Sequence, residues 1–296
     1  MANLKEVKGR IVSIQSTQQI TSAMKMVAAA KLRKAQDKIT RMRPYSEKLT
    51  GILQNVSGGL DDAGENQYGV EREISKVLLV VVSSDRGLCG SFNTNIFKNA
   101  VAHIKEKYSS VESRGGLYIM PIGKRSLEYF KKRNYQLVDD YSLLFHDLNF
   151  DESKAAAEFS MKGFAEGDYD RVDLVYNEFK NVATQILRKE QFLPIAAPES
   201  SEVSSAPDVD YLFEPSQATV VEEIIPKSLK IQFYKALLES NASEHGARMT
   251  AMDQATDNAG ELLKELRLTY NRTRQAAITK EILEIVGGAE ALAANS

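Results

Sequence analysis

The stretch ARMTAMDQATDNAGELLKELRLTYNRTRQAA (Ala247–Ala277) decides the architecture. Within it Met249, Met252, Thr256, Ala259, Leu263, Leu266, Tyr270, Thr273 and Ala277 follow one another at strict intervals of three and four. That alternation, held for about four heptads, lays one stripe along a helix and calls for a second helix against it. The stripe is poor in Leu and Ile. Its Ala and Thr residues let two helices approach closely, and Met packs without a fixed shape. Two structures satisfy this pattern: an ordinary coiled coil inside a helical bundle, or a slender shaft that also offers a surface to something around it.

The partner helix lies at the other end of the chain. Val7, Ile11 and Ile14 are spaced by four and three, and Met24, Ala28, Leu32, Ala35, Ile39 and Met42 continue the same rhythm. Gln15, Thr17, Gln18, Gln19 and Thr21 interrupt it with polar groups. All seven prolines fall between Pro44 and Pro226. Proline breaks helix interiors, so their absence elsewhere permits long helices at both ends. A 60-residue helix would be about 90 Å long, more than a small domain can enclose. Two such helices pair antiparallel if the middle of the chain folds as a compact body.

That middle reads as α/β. KVLLVVVS (Lys76–Ser83) holds a continuous apolar run rich in β-branched valine, as for a strand buried on both faces. LYIMPI (Leu117–Ile122) and VDLVYNEF (Val172–Phe179) predict further strands, and 182–193 a final one. Phe92–Tyr108, Lys124–Arg133 and Glu152–Glu166 predict helices between them, which suggests a parallel sheet with crossovers. SGGLDDAGENQYG (Ser57–Gly69) and AAPESSEVSSAPDVD (Ala196–Asp210) are polar joints. The expected organisation is a helix over 1–56, a linker over 57–75, a Rossmann-like α/β domain over 76–195, a linker over 196–215 and a helix over 216–296.

The formal net charge of −2 conceals a segregation. Residues 1–43 hold ten basic and two acidic side chains, a net +8; 44–226 carry −10, and 227–296 are neutral. The overall balance excludes a uniformly basic nucleic-acid coat, and a +8 helix calls for an acidic partner. Its opposite face offers Ala28, Ala29, Ala30 and Ala35 rather than large membrane anchors, and it has no Phe or Tyr for stacking on bases. Acidic protein loops suit it better. The start, MANLKEVKGR, lacks an apolar signal region, and no apolar run reaches membrane-spanning length.

Catalytic signals are weak. SSDRGLCGSFN (Ser83–Asn93) follows the first strand, where α/β folds often hold phosphate, but Gly87 and Gly90 give only GxxG. A tight turn passing close to another surface is the alternative. The lone Cys89 excludes an intrachain disulfide and reads as a small buried residue rather than a nucleophile served by His103, His146 or His245. The pairs Asp61–Asp62 and Asp139–Asp140 read as solvated turns. Arg248, Asn258, Arg274, Gln275 and Thr279 are unusual within a helical seam; each needs a partner if buried, and otherwise points outward.

Three segments, IQSTQQITSAMKMVAAAKLRKAQ, SSDRGLCGSFN and ARMTAMDQATDNAGELLKEL…YNRTRQAAITKEILEIVGGAEAL, resemble the gamma subunit of F-type ATP synthases across essentially the whole chain. The resemblance implies a left-handed antiparallel coiled coil inserted into a hexamer of alpha and beta subunits. It implies an α/β body against epsilon and the ring of c subunits, and a rotor that regulates ATPase activity and proton flow. It implies no catalytic residue, cofactor or metal on this chain, with ATP, ADP and Mg held by alpha and beta in a 3:3:1 complex. Met24 matches the family's contact position on the first helix, and Lys25 stands where an acid is often found. Arg248, Arg274, Gln275 and Thr279 match polar contacts with beta on the second. Chloroplast relatives carry an inserted cysteine pair that this chain lacks. The expected location is the cytoplasmic face of a bacterial inner membrane. From the residues alone, a dinucleotide-binding enzyme with helical arms and a static coiled-coil scaffold stay open.

Overall fold

A computed structural model describes residues 4–57, 67–195 and 217–294. The whole of the predicted linker 196–215, part of the linker 57–75 and the Asp61–Asp62 pair lie outside the described residues. The element order is α1 (Leu4–Ser57), β1 (Val77–Val82), α2 (Phe92–Lys107), α3 (Ser109–Ser113), β2 (Leu117–Ile122), α4 (Lys124–Lys131), β3 (Gln136–Leu137), α5 (Phe150–Ala165), β4 (Arg171–Phe179), β5 (Gln185–Leu193) and α6 (Gln217–Ala294). Contacts divide the chain into two compact units, residues 28–248 and residues 1–27 with 249–296.

In the first unit a five-stranded sheet runs in the order β3-β2-β1-β4-β5. β1 pairs in parallel with both β2 and β4. Side chains alternate across a strand, so the apolar run of β1 feeds two cores. Val77, Leu79 and Val81 face Phe92, Ile96 and Ile104 of α2 and Phe130 of α4. Leu78, Val80 and Val82 face Ala156 and Phe164 of α5 and Leu229, Phe233 and Leu237 of α6. All six β1 residues are buried, as the continuous run requires.

Two details depart from the sequence reading. β5 is antiparallel to β4, because a short turn closed by reciprocal Asn181–Thr184 bonds joins them and a parallel return needs a long crossover. α3 and the two-residue β3 are additional elements. Pro44 and Pro226 lie inside α1 and α6. Each removes one backbone donor, a loss a long helix tolerates where neighbouring turns are held by packing.

The second unit pairs 4–27 of α1 with the beginning of 249–294. The expected stripe on α6 is its less exposed side from Met249 to Thr273, with Met252, Ala259 and Leu263 buried; Ala277 is exposed. Gln18 and Thr21 do not interrupt the α1 stripe; they occupy it, whereas Gln15, Thr17 and Gln19 are exposed. The Thr21 and Thr256 hydroxyls are hydrogen-bonded across the pair at 2.8 Å. One turn on, Lys25 Nζ meets Asp253 Oδ1 at 2.5 Å. Numbers rise on one helix as they fall on the other, so the pair is antiparallel. A polar layer of this kind fixes register, since a shifted helix would bury these groups against methyls.

Candidate partner-contact surfaces and the occupied crevice

In open parallel sheets, ligands bind beyond the carboxyl ends of the strands, where the strand order reverses. Here that place adjoins β1 and β4, and the chain's own α6 occupies it. Glu239, buried, accepts from the backbone N–H of Phe179 at the end of β4 (3.0 Å) and from Arg43 of α1 (3.0 Å). Ser243 Oγ donates to Asn177 O (3.1 Å). Arg248 Nη2 donates to Arg86 O (2.9 Å) and Gly87 O (3.3 Å) in the turn after β1, while Nη1 pairs with Glu244 Oε1 (2.6 Å). The close surface expected beside SSDRGLCGSFN is therefore α6.

The turn is held from the other side too. Asp85 Oδ1 accepts from the N–H of Lys124, Ser84 O from that of Arg125, and Ser83 Oγ from that of Ser126. Gly123 permits this approach: its φ is +96°, and a Cβ there would stand 2.4 Å from Ser83 O. Cys89 lies beneath, buried, its sulfur accepting from Asn93 Nδ2 at 3.3 Å. Burial pushes the thiol up from its ordinary value, against a hydrogen bond from Ser84 and the charge of Arg248 that pull it down. A thiol held protonated is a poor nucleophile. His103 is committed to Asp173 (2.7 Å), which Tyr108 and Arg171 also engage, and His146 is exposed. Among the described residues no His, Cys, Asp and Glu cluster fits a metal, and no helix is long and apolar enough to cross a membrane.

The second unit has a different character. Its register sets Leu4 level with about residue 273, so α6 beyond that point has no helix beside it among the described residues. Every residue from Arg274 to Glu290 is exposed, including Ile278, Ile282, Leu283, Ile285 and Val286 at 48–72%. On α1, Val12, Ile20, Met26 and Val27 are likewise exposed.

Residues 3–292 match the sequence model of the family described as ATP synthase. The ATP synthase gamma chain of Cytophaga hutchinsonii is 60% identical over 293 residues, covering 99% of each chain. That of Christiangramia forsetii is 53% identical over 292 residues, again with 99% of both covered.

The chain belongs to the ATP synthase gamma chain family.

It is thus a non-catalytic rotor subunit of that complex. In fold it is similar to a chain of the Euglena gracilis mitochondrial ATP synthase in rotational state 3, with a TM-score of 0.69 and 22% identity over 99% of this chain and 95% of that one. A second Euglena rotor structure gives 0.63 over 93% and 98%.

The residues matched to family contacts fall into three environments. Met24 is half-buried, and Lys25 is paired with Asp253. Arg248 is only 11% exposed and tied to its own chain. Arg274, Gln275 and Thr279 are exposed on the unaccompanied part of α6, so the question of how they are satisfied when buried does not arise within the chain. Asn258 is exposed as well. The sequence reading missed Glu239 and Glu244, whose burial follows from where α6 crosses the sheet. It also missed the exposed apolar residues of α1 and α6. Their signal was present in ITKEILEIVGG, where Ile278, Ile282, Ile285 and Val286 share one helical face.

Proposed function

We propose that the exposed apolar face of α6 beyond about residue 273 is the bearing surface that turns inside a sleeve formed by alpha and beta in a 3:3:1 complex. The carrying observation is that Ile278, Ile282, Ile285 and Val286 are exposed on one face of a helix with no helix beside it among the described residues. Such a face needs a partner to cover it. Arg274, Gln275 and Thr279 lie beside that face and would form exchangeable polar contacts with beta, while Met24 and Lys25 would meet beta on α1. The basic residues of 1–43 would face acidic beta loops. Torque transfer favours this mixture, because weak contacts can be traded at every step, whereas one strong buried ion pair would hold the rotor at about 3–5 kcal/mol.

In the same proposal the sheet-containing domain, over 76–195, engages epsilon and the c ring, and proton flow through the ring turns the chain. ATP, ADP and Mg are held by alpha and beta. The supporting observation is that α6 already fills the crevice where a nucleotide would bind this fold. The domain limits 1–56, 76–195 and 216–296, with linkers between, belong to this reading. So does the cytoplasmic face of a bacterial inner membrane as the working location.

The test is expression of this chain within the complete ATP synthase, c ring included, carrying Ile282→Asp together with Ile285→Asp. Coupled ATP synthesis is expected to fall by more than about tenfold, while the isolated chain keeps its stability within about 0.5 kcal/mol, because both residues are exposed. Normal assembly and normal synthesis in the double variant would overturn the bearing assignment.

A further inference from the structure

Arg248 stands where relatives are expected to touch beta, yet its guanidinium is engaged inside this chain. Nη1 is fixed by Glu244 at 2.6 Å, and Nη2 reaches two successive carbonyls, Arg86 O and Gly87 O, on the turn after β1. The pair is almost closed to water, with side-chain exposures of 11% and 8%. The turn it grips includes Leu88 at φ +62°, a conformation that bulky side chains seldom adopt, and Leu88 is 64% exposed. A strained backbone persists where its surroundings hold it. On the α4 side, Asp85, Ser84 and Ser83 are anchored by the N–H groups of Lys124, Arg125 and Ser126. On the α6 side the polar contacts to Arg86 and Gly87 come from Arg248. Cys89, at 2% exposure, lies directly after this grip.

We propose that Arg248, oriented by Glu244, is a strut within the chain that locks residues 86–89 onto α6 and keeps Cys89 closed to solvent. It is a positioning residue. The planar guanidinium suits the role, because its parallel N–H groups can hold a carboxylate and two carbonyls at once, which a lysine ammonium cannot do in one geometry. The inference concerns contacts inside residues 28–248 and does not depend on the rotor assignment.

The single cysteine supplies the measurement. Alkylation of Cys89 by N-ethylmaleimide is followed in the isolated full-length chain, without denaturant and without partner subunits. Arg248→Ala is expected to speed labelling by about tenfold, equivalent to about 1.4 kcal/mol less resistance to local opening. Arg248→Lys is expected to fall between, Glu244→Gln to show a rise of about threefold, and Arg274→Ala to match the parent. Thermal melting identifies which variants remain folded. If Arg248→Ala does not fold, Glu244→Gln carries the test. Parental labelling rates in the folded Arg248→Ala protein, or in Glu244→Gln if that is the one that folds, would overturn the strut. Because no partner is present, its failure would leave the bearing proposal standing, and the converse holds as well.

Discussion

Residues 28–248 and the α6 segment beyond 273 treat their side chains in opposite ways. In the former, buried polar groups of α6 are answered, Ser240 Oγ excepted: Glu239 by Arg43 and the Phe179 N–H, Ser243 by Asn177 O, Glu244 by Arg248. In the latter, apolar groups are exposed, with Ile285 at 72% and Leu283 at 66%. A buried polar group must find its partner inside the chain, since water is excluded. An exposed apolar face gains nothing from the chain and is stabilised only when something covers it. The first pattern specifies a fold, and the second specifies an assembly. One helix carries both.

Charging the exposed apolar face and removing a buried charge should have opposite consequences. The Ile282→Asp, Ile285→Asp double variant should lose function and keep stability. Glu239→Ala should do the reverse, costing about 2–4 kcal/mol, because it leaves the Phe179 N–H buried and unpaired and removes the partner of Arg43. Urea unfolding of the isolated chain measures it, and a loss below about 0.5 kcal/mol would mean that Glu239 is not an anchor.

A smaller effect comes from pH. Burial first, then the charges of Arg248 and Lys31, push His245 down to about 4. Its neutral form is therefore the folded one, and the stability it supports is present above its ordinary value and lost as pH falls from about 6.5 toward 4. Its neighbour Glu244 acts in the opposite sense. Burial raises its pKa, against Arg248, so its contribution is greatest in acid and is lost as pH rises above its ordinary value. His245→Gln removes the first dependence and leaves the second. The variant should resist acidification from about pH 7 to pH 5 better than the parent, by on the order of 1–2 kcal/mol. Parallel pH profiles for the two proteins would refute the assignment.

The smallest effect is expected at Lys25. Its bridge to Asp253 joins side chains 41% and 47% exposed, so Lys25→Ala should cost no more than about 1 kcal/mol. The difference should shrink further in high salt, as read from melting temperatures at two ionic strengths. A large, salt-independent loss would show that the polar layer around Thr21 and Thr256 behaves as core.

Much of this was legible in the residues. The 3/4 spacing from Met249 to Thr273 marked the packed side of α6, and the unbroken apolar run of β1 announced burial on both faces. Periodicity records which face must leave water, and that is a local property of the chain. Gln18 and Thr21 were harder. They read as interruptions because a polar residue in a stripe looks like an error until its cross-helix partner is known. Arg248 was harder still. Its residue type left open whether it was buried with a partner or pointed outward, and the approach of α6 to the turn after β1 brought two carbonyls within its reach.

That helices at the two ends pair, that the middle forms an α/β sheet and that charge is concentrated on the first helix are all written in the chain's local pattern. Those properties follow from the order of apolar, small and charged side chains along the chain. It takes the tertiary structure to show that α6 fills the crevice beyond β1 and β4, which polar side chains are answered within the chain, and where, among the described residues, α6 continues without α1 beside it. Each of these depends on which distant segments meet, and no local spacing encodes a meeting between Glu239 and Phe179 or between Arg248 and Gly87.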